Sequence, residues 1–218
     1  VGERQSEGID VEMQKSTTAT LPGKCTCKEY LRRMKPKKDA PLWAAPSTVL
    51  WSGLGAFIGI SVLALLHYYV MLEYTDDLVF FIGSFGAQAV LLFGAPHAPL
   101  AQPWNAVVGN MVSAFVGVCM RILIADTMGL YWLASSLSVS LAIVGMLLTN
   151  SLHPPGGATA LIAVLSHGRP RELGFLYIIF PTLLGTVVHV AIAVLFNNLS
   201  SLPGRHYPMN WEPFTTGW

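Results

Sequence analysis

The run Asn150-Ser151-Leu152-His153-Pro154-Pro155-Gly156-Gly157-Ala158-Thr159-Ala160 sets a polar, helix-breaking interruption between two strongly apolar stretches. Two consecutive prolines remove two backbone N–H donors and push His153 out of the helical region, so a helix arriving from Thr149 has to stop and another has to start. Inside hydrocarbon, irregular backbone is tolerated only where it is buried in protein or lines a water-filled cavity. The restarting helix directs unpaired N–H groups into that space. The search for a site begins there.

Composition identifies the surrounding solvent. Of 218 residues, 53% are hydrophobic and 11% charged, against about 25% charged in an ordinary soluble domain. The chain reads as an all-α, polytopic helical membrane bundle embedded in a lipid bilayer. Lys24, Lys28, Arg32, Arg33, Lys35, Lys37 and Lys38 account for 7 of its 13 basic residues, and all precede the first apolar run. Such a cluster favours the cytoplasmic, stromal or matrix side and attracts anionic headgroups, so the N-terminus is expected inside. Three parts follow: a polar, largely disordered arm (1–45), a transmembrane domain (46–200) and a C-terminal tail (201–218).

Cys25, Cys27 and Cys119 give no disulfide framework. Cys25 and Cys27 form a CxC pair, but no nearby Cys or His completes a zinc set, and neither a metal nor a cofactor is expected. The chain starts at Val1 without an apolar signal segment, which is compatible with removal of a targeting peptide, and an organelle inner membrane is expected rather than the plasma membrane.

Six apolar segments follow the arm, at about 47–70, 78–95, 104–125, 130–150, 154–167 and 172–198. A hydrocarbon core of ~30 Å needs about 20 helical residues. The second and fifth segments fall short, and both are interrupted: Gly83, Gly86, Gly94 and Pro96 mark one, and Pro154-Pro155-Gly156-Gly157 opens the other. They are candidates for broken, tilted or re-entrant helices. Whether these two cross or only dip in, both ends of the domain fall on one side of the membrane.

A shift of 71 residues lays Gly86-Ala87-Gln88-Ala89-Val90 over Gly157-Ala158-Thr159-Ala160-Leu161 and Pro99 over Pro170. Each short segment is then second in a set of three, as in an inverted 3+3 repeat. Interrupted segments at corresponding places in two halves point to a transporter's binding site.

The candidate substrate-binding residues are His153, Pro154, Pro155, Gly156, Gly157, Thr159, Asn150, Gly86, Gln88 and Asn110. His153 can donate to an anion, carry a proton, or hold the loop by bonding a carbonyl. The Gly156-Gly157 pair lets a ligand approach, or lets two helices pack tightly. Asn150 can cap the restart or bind a ligand. Gln88, Asn110 and His189 are intramembrane polar groups of the kind that face a bundle interior. His97 and Gln102 belong to a Pro-rich turn that is structural or faces a vestibule, and the pair Arg121 and Asp126 reads as structural. No GxSxG, HExxH, Walker or dinucleotide motif is present, and an enzyme is not expected. Nucleic acid is not an expected partner.

Several of these stretches, in order, resemble the HPP family of integral membrane proteins. They are Gly83-Ser84-Phe85-Gly86-Ala87, Ala95-Pro96-His97-Ala98-Pro99-Leu100-Ala101-Gln102-Pro103, Leu147-Leu148-Thr149, His153 to Leu161 and Leu195-Phe196-Asn197-Asn198-Leu199. The likeness runs from about Leu50 to Trp211. It implies a small helical membrane protein with plastid and cyanobacterial relatives linked to nitrite transport. Relatives often carry Arg where this chain has Trp104 before Asn105, which removes a cation near the expected entrance. The resulting expectation is a transporter or channel for a small anion, nitrite first. It would use dipole ends near Gly86 and Gly157, donors from His153 and Thr159, and a lining from Gln88 and Asn110. The alternative is a non-transporting subunit of a larger organellar assembly, and a homo-oligomer fits either expectation.

Overall fold

The computed structural model describes residues 43–71, 82–166, 168–200, 202 and 205–213. The arm with its basic cluster and Cys25-Cys27 pair, and positions 78–81 of the second segment, lie outside the described residues. The bundle belongs to the unit Ala44–Trp218.

Six helices carry the fold: α1 (Pro46–Tyr69), α2 (Ser84–Gly94), α3 (Pro103–Met128), α4 (Tyr131–Leu148), α5 (Pro154–Leu165) and α6 (Gly174–Asn198). Among the described residues there is no strand. The four long helices have 24, 26, 18 and 25 residues, which at about 1.5 Å per residue is enough for a bilayer core. The 12 residues of α5 reach only about 18 Å, and α2 is shorter still. The chain is a multi-pass membrane protein, and its outer surface shows it: Phe57, Trp132 and Leu195 are each 70% exposed, a cost in water but not in lipid.

Local chemistry sets the boundaries. Proline opens α1, α3 and α5, at the position where its missing N–H is no loss and its fixed φ already suits a helix. At the end of α4, Asn150 adopts a left-handed φ of 50°. The Ser151 N–H donates to Met146 O (2.8 Å) and the Asn150 N–H to Leu147 O (3.2 Å). These two bonds form a Schellman motif. Asn150 therefore terminates α4, while His153, extended at φ −143° and ψ 106°, is the residue that precedes α5.

Successive helices alternate in direction, as their contacts show. At one end, here proximal, Arg205 bonds both Thr48 O at the start of α1 and Phe93 O at the end of α2. Trp104 Nε1 at the start of α3 donates to Thr149 O after α4 (3.2 Å), and Asn197 Nδ2 at the end of α6 donates to Leu92 O (3.0 Å). At the distal end, Arg171 before α6 reaches Asp126 of α3 (2.6 Å) and Tyr131 of α4 (3.1 Å), while Ala125, Ala134 and Val164 form one cluster. Exchanging α1 with α4, α2 with α5 and α3 with α6 reproduces the packing. Helix α3 lies on α4 and α5 as α6 lies on α1 and α2, with α2 meeting α5 and α3 meeting α6 between the halves. Equivalent helices run in opposite directions, so the two sets of three are related as an inverted repeat.

The tightest crossing is α3 on α5, where small residues face each other. A Cβ added to Gly117 would lie 2.6 Å from Ala160 O and 2.8 Å from Ala163 Cβ, whereas nothing lies within 4 Å of one added to Gly53. Gly117→Ala is expected to lower the thermal midpoint in detergent, by about 1–3 kcal/mol of stability, because backbone cannot yield to the added methyl. Gly53→Ala should leave it unchanged or slightly higher. Equal midpoints for the two variants would contradict the crossing.

Candidate functional site

Where the two short helices meet the two halves, five side chains form one buried hub. Gln88 (α2), Asn110 (α3), Thr159 (α5), Thr186 and His189 (both α6) are each at most 1% exposed. Asn110 is the centre. Its amide nitrogen donates to Gln88 Oε1 (2.8 Å) and to Thr186 Oγ1 (3.2 Å), and its oxygen accepts from the Thr159 hydroxyl (2.9 Å). Thr159 Oγ1 also lies 3.2 Å from Pro155 O, one turn back. Tyr177 of α6 donates to Thr159 O (3.2 Å), tying the same turn to the other half.

The bonds fix a tautomer. Gln88 Nε2 lies 3.3 Å from His189 Nδ1. An amide nitrogen only donates, so Nδ1 accepts and the ring proton sits on Nε2. That Nε2 has no hydrogen-bond partner. It faces α1 at Gly59, where an added Cβ would come within 2.9 Å of it, and the ring lies between Phe85 and Phe93. The hub is thus neutral throughout and closed on itself except for this one N–H. The cavities lined by Trp51 and Leu202, by His97 and Arg205, and by Trp104 and Trp211 include no hub side chain.

His153 sits outside the hub, toward the proximal end. Its Nδ1 donates to Leu100 O (2.8 Å), pinning the start of α5 to the Pro-rich turn between α2 and α3. Its Nε2 is buried without a partner. The donors expected at this helix start are largely absent. Pro154 and Pro155 have no N–H, and Gly156 N–H bonds His153 O (2.9 Å). Gly156 is walled by Ser113, Met146 and Gly109, so here the glycine serves helix packing. Gly157 is half-buried.

On α2 the helix starts at Ser84, two residues before Gly86. Gly86 itself is exposed, with nothing within 4 Å of an added Cβ, so it lies on the outward face. Of the candidates, the structure joins Gln88, Asn110, Thr159 and the Pro155 carbonyl. It sets His153, Pro154 and Gly156 at the proximal start of α5, and leaves Gly86 and Asn150 apart. Gln102 holds the turn, donating to Pro96 O and Ala98 O (both 3.0 Å).

Two residues escaped the sequence reading. Thr186 lies one turn before His189 on the same helix face, a spacing that would have found it once His189 was placed inward. Arg205 gave no signal, being one basic residue in a short polar tail. It is 4% exposed, and burial lowers its pKa from the ordinary arginine value. Nearby Tyr207 is fully buried, donates to Ala101 O (2.9 Å), and has its phenol pushed up by burial.

Removing the hub centre should be costly and non-additive. Asn110→Ala leaves the Gln88 oxygen without a donor and is expected to destabilise by about 1–3 kcal/mol. Combined with Gln88→Ala, the loss should fall short of the sum of the single losses by about 0.5 kcal/mol or more. Denaturation of the four proteins of this cycle in one detergent measures it, and strict additivity would mean that the bond is not made.

The comparisons with known proteins agree with this architecture. The model of the HPP transmembrane region matches residues 43–208. A transmembrane protein of Dictyostelium discoideum is 46% identical over 183 residues, which is 84% of this chain and 57% of that protein. A second transmembrane protein of the same organism is 44% identical over 161 residues, 74% of this chain and 55% of its own length. The chain thus spans a little over half the length of these curated relatives. No solved structure matches it. The matched span takes in all six helices and both interrupted segments, and the chain belongs to the HPP family of membrane proteins.

Proposed function

We propose that this chain moves a small monovalent anion, nitrite first, across a membrane, as a transporter or channel and without enzymatic chemistry. The observation that carries the reading is the neutral hub at the junction of the two short helices with the inverted halves. In inverted-repeat transporters the site lies at that junction, near mid-depth, and one half rocks against the other. Here every bond from Asn110 crosses between helices, so relative motion of the halves breaks the hub and frees its donors. The Gln88 amide, the Asn110 amide and the His189 Nε2–H then become available to an anion. No Lys or Arg belongs to the hub, which suits a weakly hydrated monovalent anion better than a phosphate. The resemblance to plastid and cyanobacterial relatives favours nitrite and an organelle inner membrane, with the proximal end inside.

A second reading is a non-transporting subunit of a larger assembly. It is favoured by the same hub in another light, since its polar atoms other than His189 Nε2 are bonded and the cavities lined by Trp51, by His97 and by Trp211 do not reach them.

Nitrite uptake into proteoliposomes separates the two. Transport predicts flux above that of empty vesicles, and a loss of about tenfold in Gln88→Leu, the effect of about 1.4 kcal/mol on a barrier. Gln88→Leu is scored only when it elutes from size exclusion as the wild type does. Wild-type protein with no flux above empty vesicles would overturn transport and leave the subunit reading.

A further inference from the structure

Arg205 raises a question that the hub does not answer. Its Nη1 donates to Phe93 O (3.1 Å) and Asn197 Oδ1 (3.2 Å). Its Nη2 donates to Phe93 O (3.1 Å), Thr48 O (3.4 Å) and Ser52 Oγ. All these acceptors are neutral. Nε has no partner, and among the described residues no carboxylate pairs with this guanidinium. Carbonyls at the end of α2 supply a partial negative charge. A buried cation left with partial charges alone is expensive.

The other half of the repeat also holds a buried arginine near its distal helix ends, and there the charge is balanced. Arg205 joins the end of α6, the start of α1 and the end of α2. Arg121 lies in the last turns of α3, a stretch that packs on α4 and α5, and it is 3% exposed. It has its carboxylate: Asp126 lies 3.6 Å away and also holds Arg171. At the proximal end a cavity of about 360 Å³ lies against Arg205 instead. It is lined by Thr48 and the Gly94–Ala98 turn, with exposed His97 among them and no acidic side chain.

We infer that this cavity is an anion-docking vestibule in which Arg205 recognises a small monovalent anion from solution, with Thr48 lining the same cavity beside it. The anion would give Arg205 the negative partner that Asp126 gives Arg121. That it then moves onward to the hub rests on the transport reading above; the docking itself does not.

The test uses the full chain in neutral-lipid nanodiscs, titrated calorimetrically with sodium nitrite at constant ionic strength. Thr48→Asp places a carboxylate in the cavity while keeping the backbone carbonyl that Arg205 uses. It lies in the first turn of α1, where a negative charge is favourable, so the fold is retained. Ser47→Asp adds the same charge one residue away, outside this cavity. Nitrite binding is expected to weaken about tenfold or more in Thr48→Asp, about 1.4 kcal/mol, and to hold within about twofold in Ser47→Asp. Equal effects of the two variants, or no nitrite binding by the wild type, would overturn the site. So would binding of phosphatidylglycerol at this cavity with no response to nitrite, which would assign it to lipid phosphate. In proteoliposomes, flux unaltered by Thr48→Asp overturns the vestibule and leaves transport standing. Binding lost in Thr48→Asp with no flux from the wild type upholds the vestibule and overturns transport.

Discussion

Inside hydrocarbon a backbone N–H or C=O must find a partner within the protein, and two helices too short to cross have to start or stop there. The solutions are local and specific. Helix α5 begins with two residues that have no N–H, and the next donor folds back onto His153 O. The end of α2 is closed from outside its own segment, by Arg205 on Phe93 O and by Asn197 on Leu92 O. Helix α4 is closed by its own Schellman turn. With these termini satisfied, the short helices can be buried within the bundle, and their polar side chains can meet.

What they form is held by neutral bonds alone. Each such bond contributes roughly 0.5–1.5 kcal/mol net, because its partners find substitutes when it opens. A salt bridge in the same place would lock the halves, since separating buried charges leaves each unpaired. Residues around the hub keep the approach close: Gly59 gives His189 its room, and Phe85 and Phe93 flank its ring. Specific geometry and low cost of opening therefore coexist at one point of the fold.

Much of the architecture was legible because its causes are local. Apolar run lengths gave six segments, proline and glycine marked the two short ones, and a 71-residue shift exposed the repeat that the packing displays. Gln88 and Asn110 were legible because an amide within an apolar run is costly to leave facing lipid, and Thr159 because it follows the Gly156-Gly157 pair at the helix break. The rest depended on information that a single chain does not carry locally. Gly86 shares a helix with Gln88 but lies on the opposite side, and only the partner helices decide which face turns in. Asn150 could start one helix or finish another, and the outcome turned on a left-handed φ. The prolines remove two donors at the start of α5, as the sequence implies, and the structure adds that the next donor, Gly156 N–H, turns back onto His153 O.

The inverted repeat makes charge the most informative difference between the halves. Backbone packing is exchanged almost helix for helix, so a residue present at one end and missing at the other stands out against its counterpart. At the distal end two arginines share Asp126, and Tyr131 with Asp126 holds the Arg171 guanidinium above its usual range. At the proximal end Arg205 has neutral acceptors and an adjoining cavity. An ion pair as exposed as Arg171 with Asp126 is screened by solvent and contributes little. The distal closure is therefore cheap to open, whereas the proximal clamp, buried and bonded to α1, α2 and α6, is not. Motion that parts the halves should accordingly begin at the distal Arg171 contacts, while the proximal clamp keeps α1, α2 and α6 moving together.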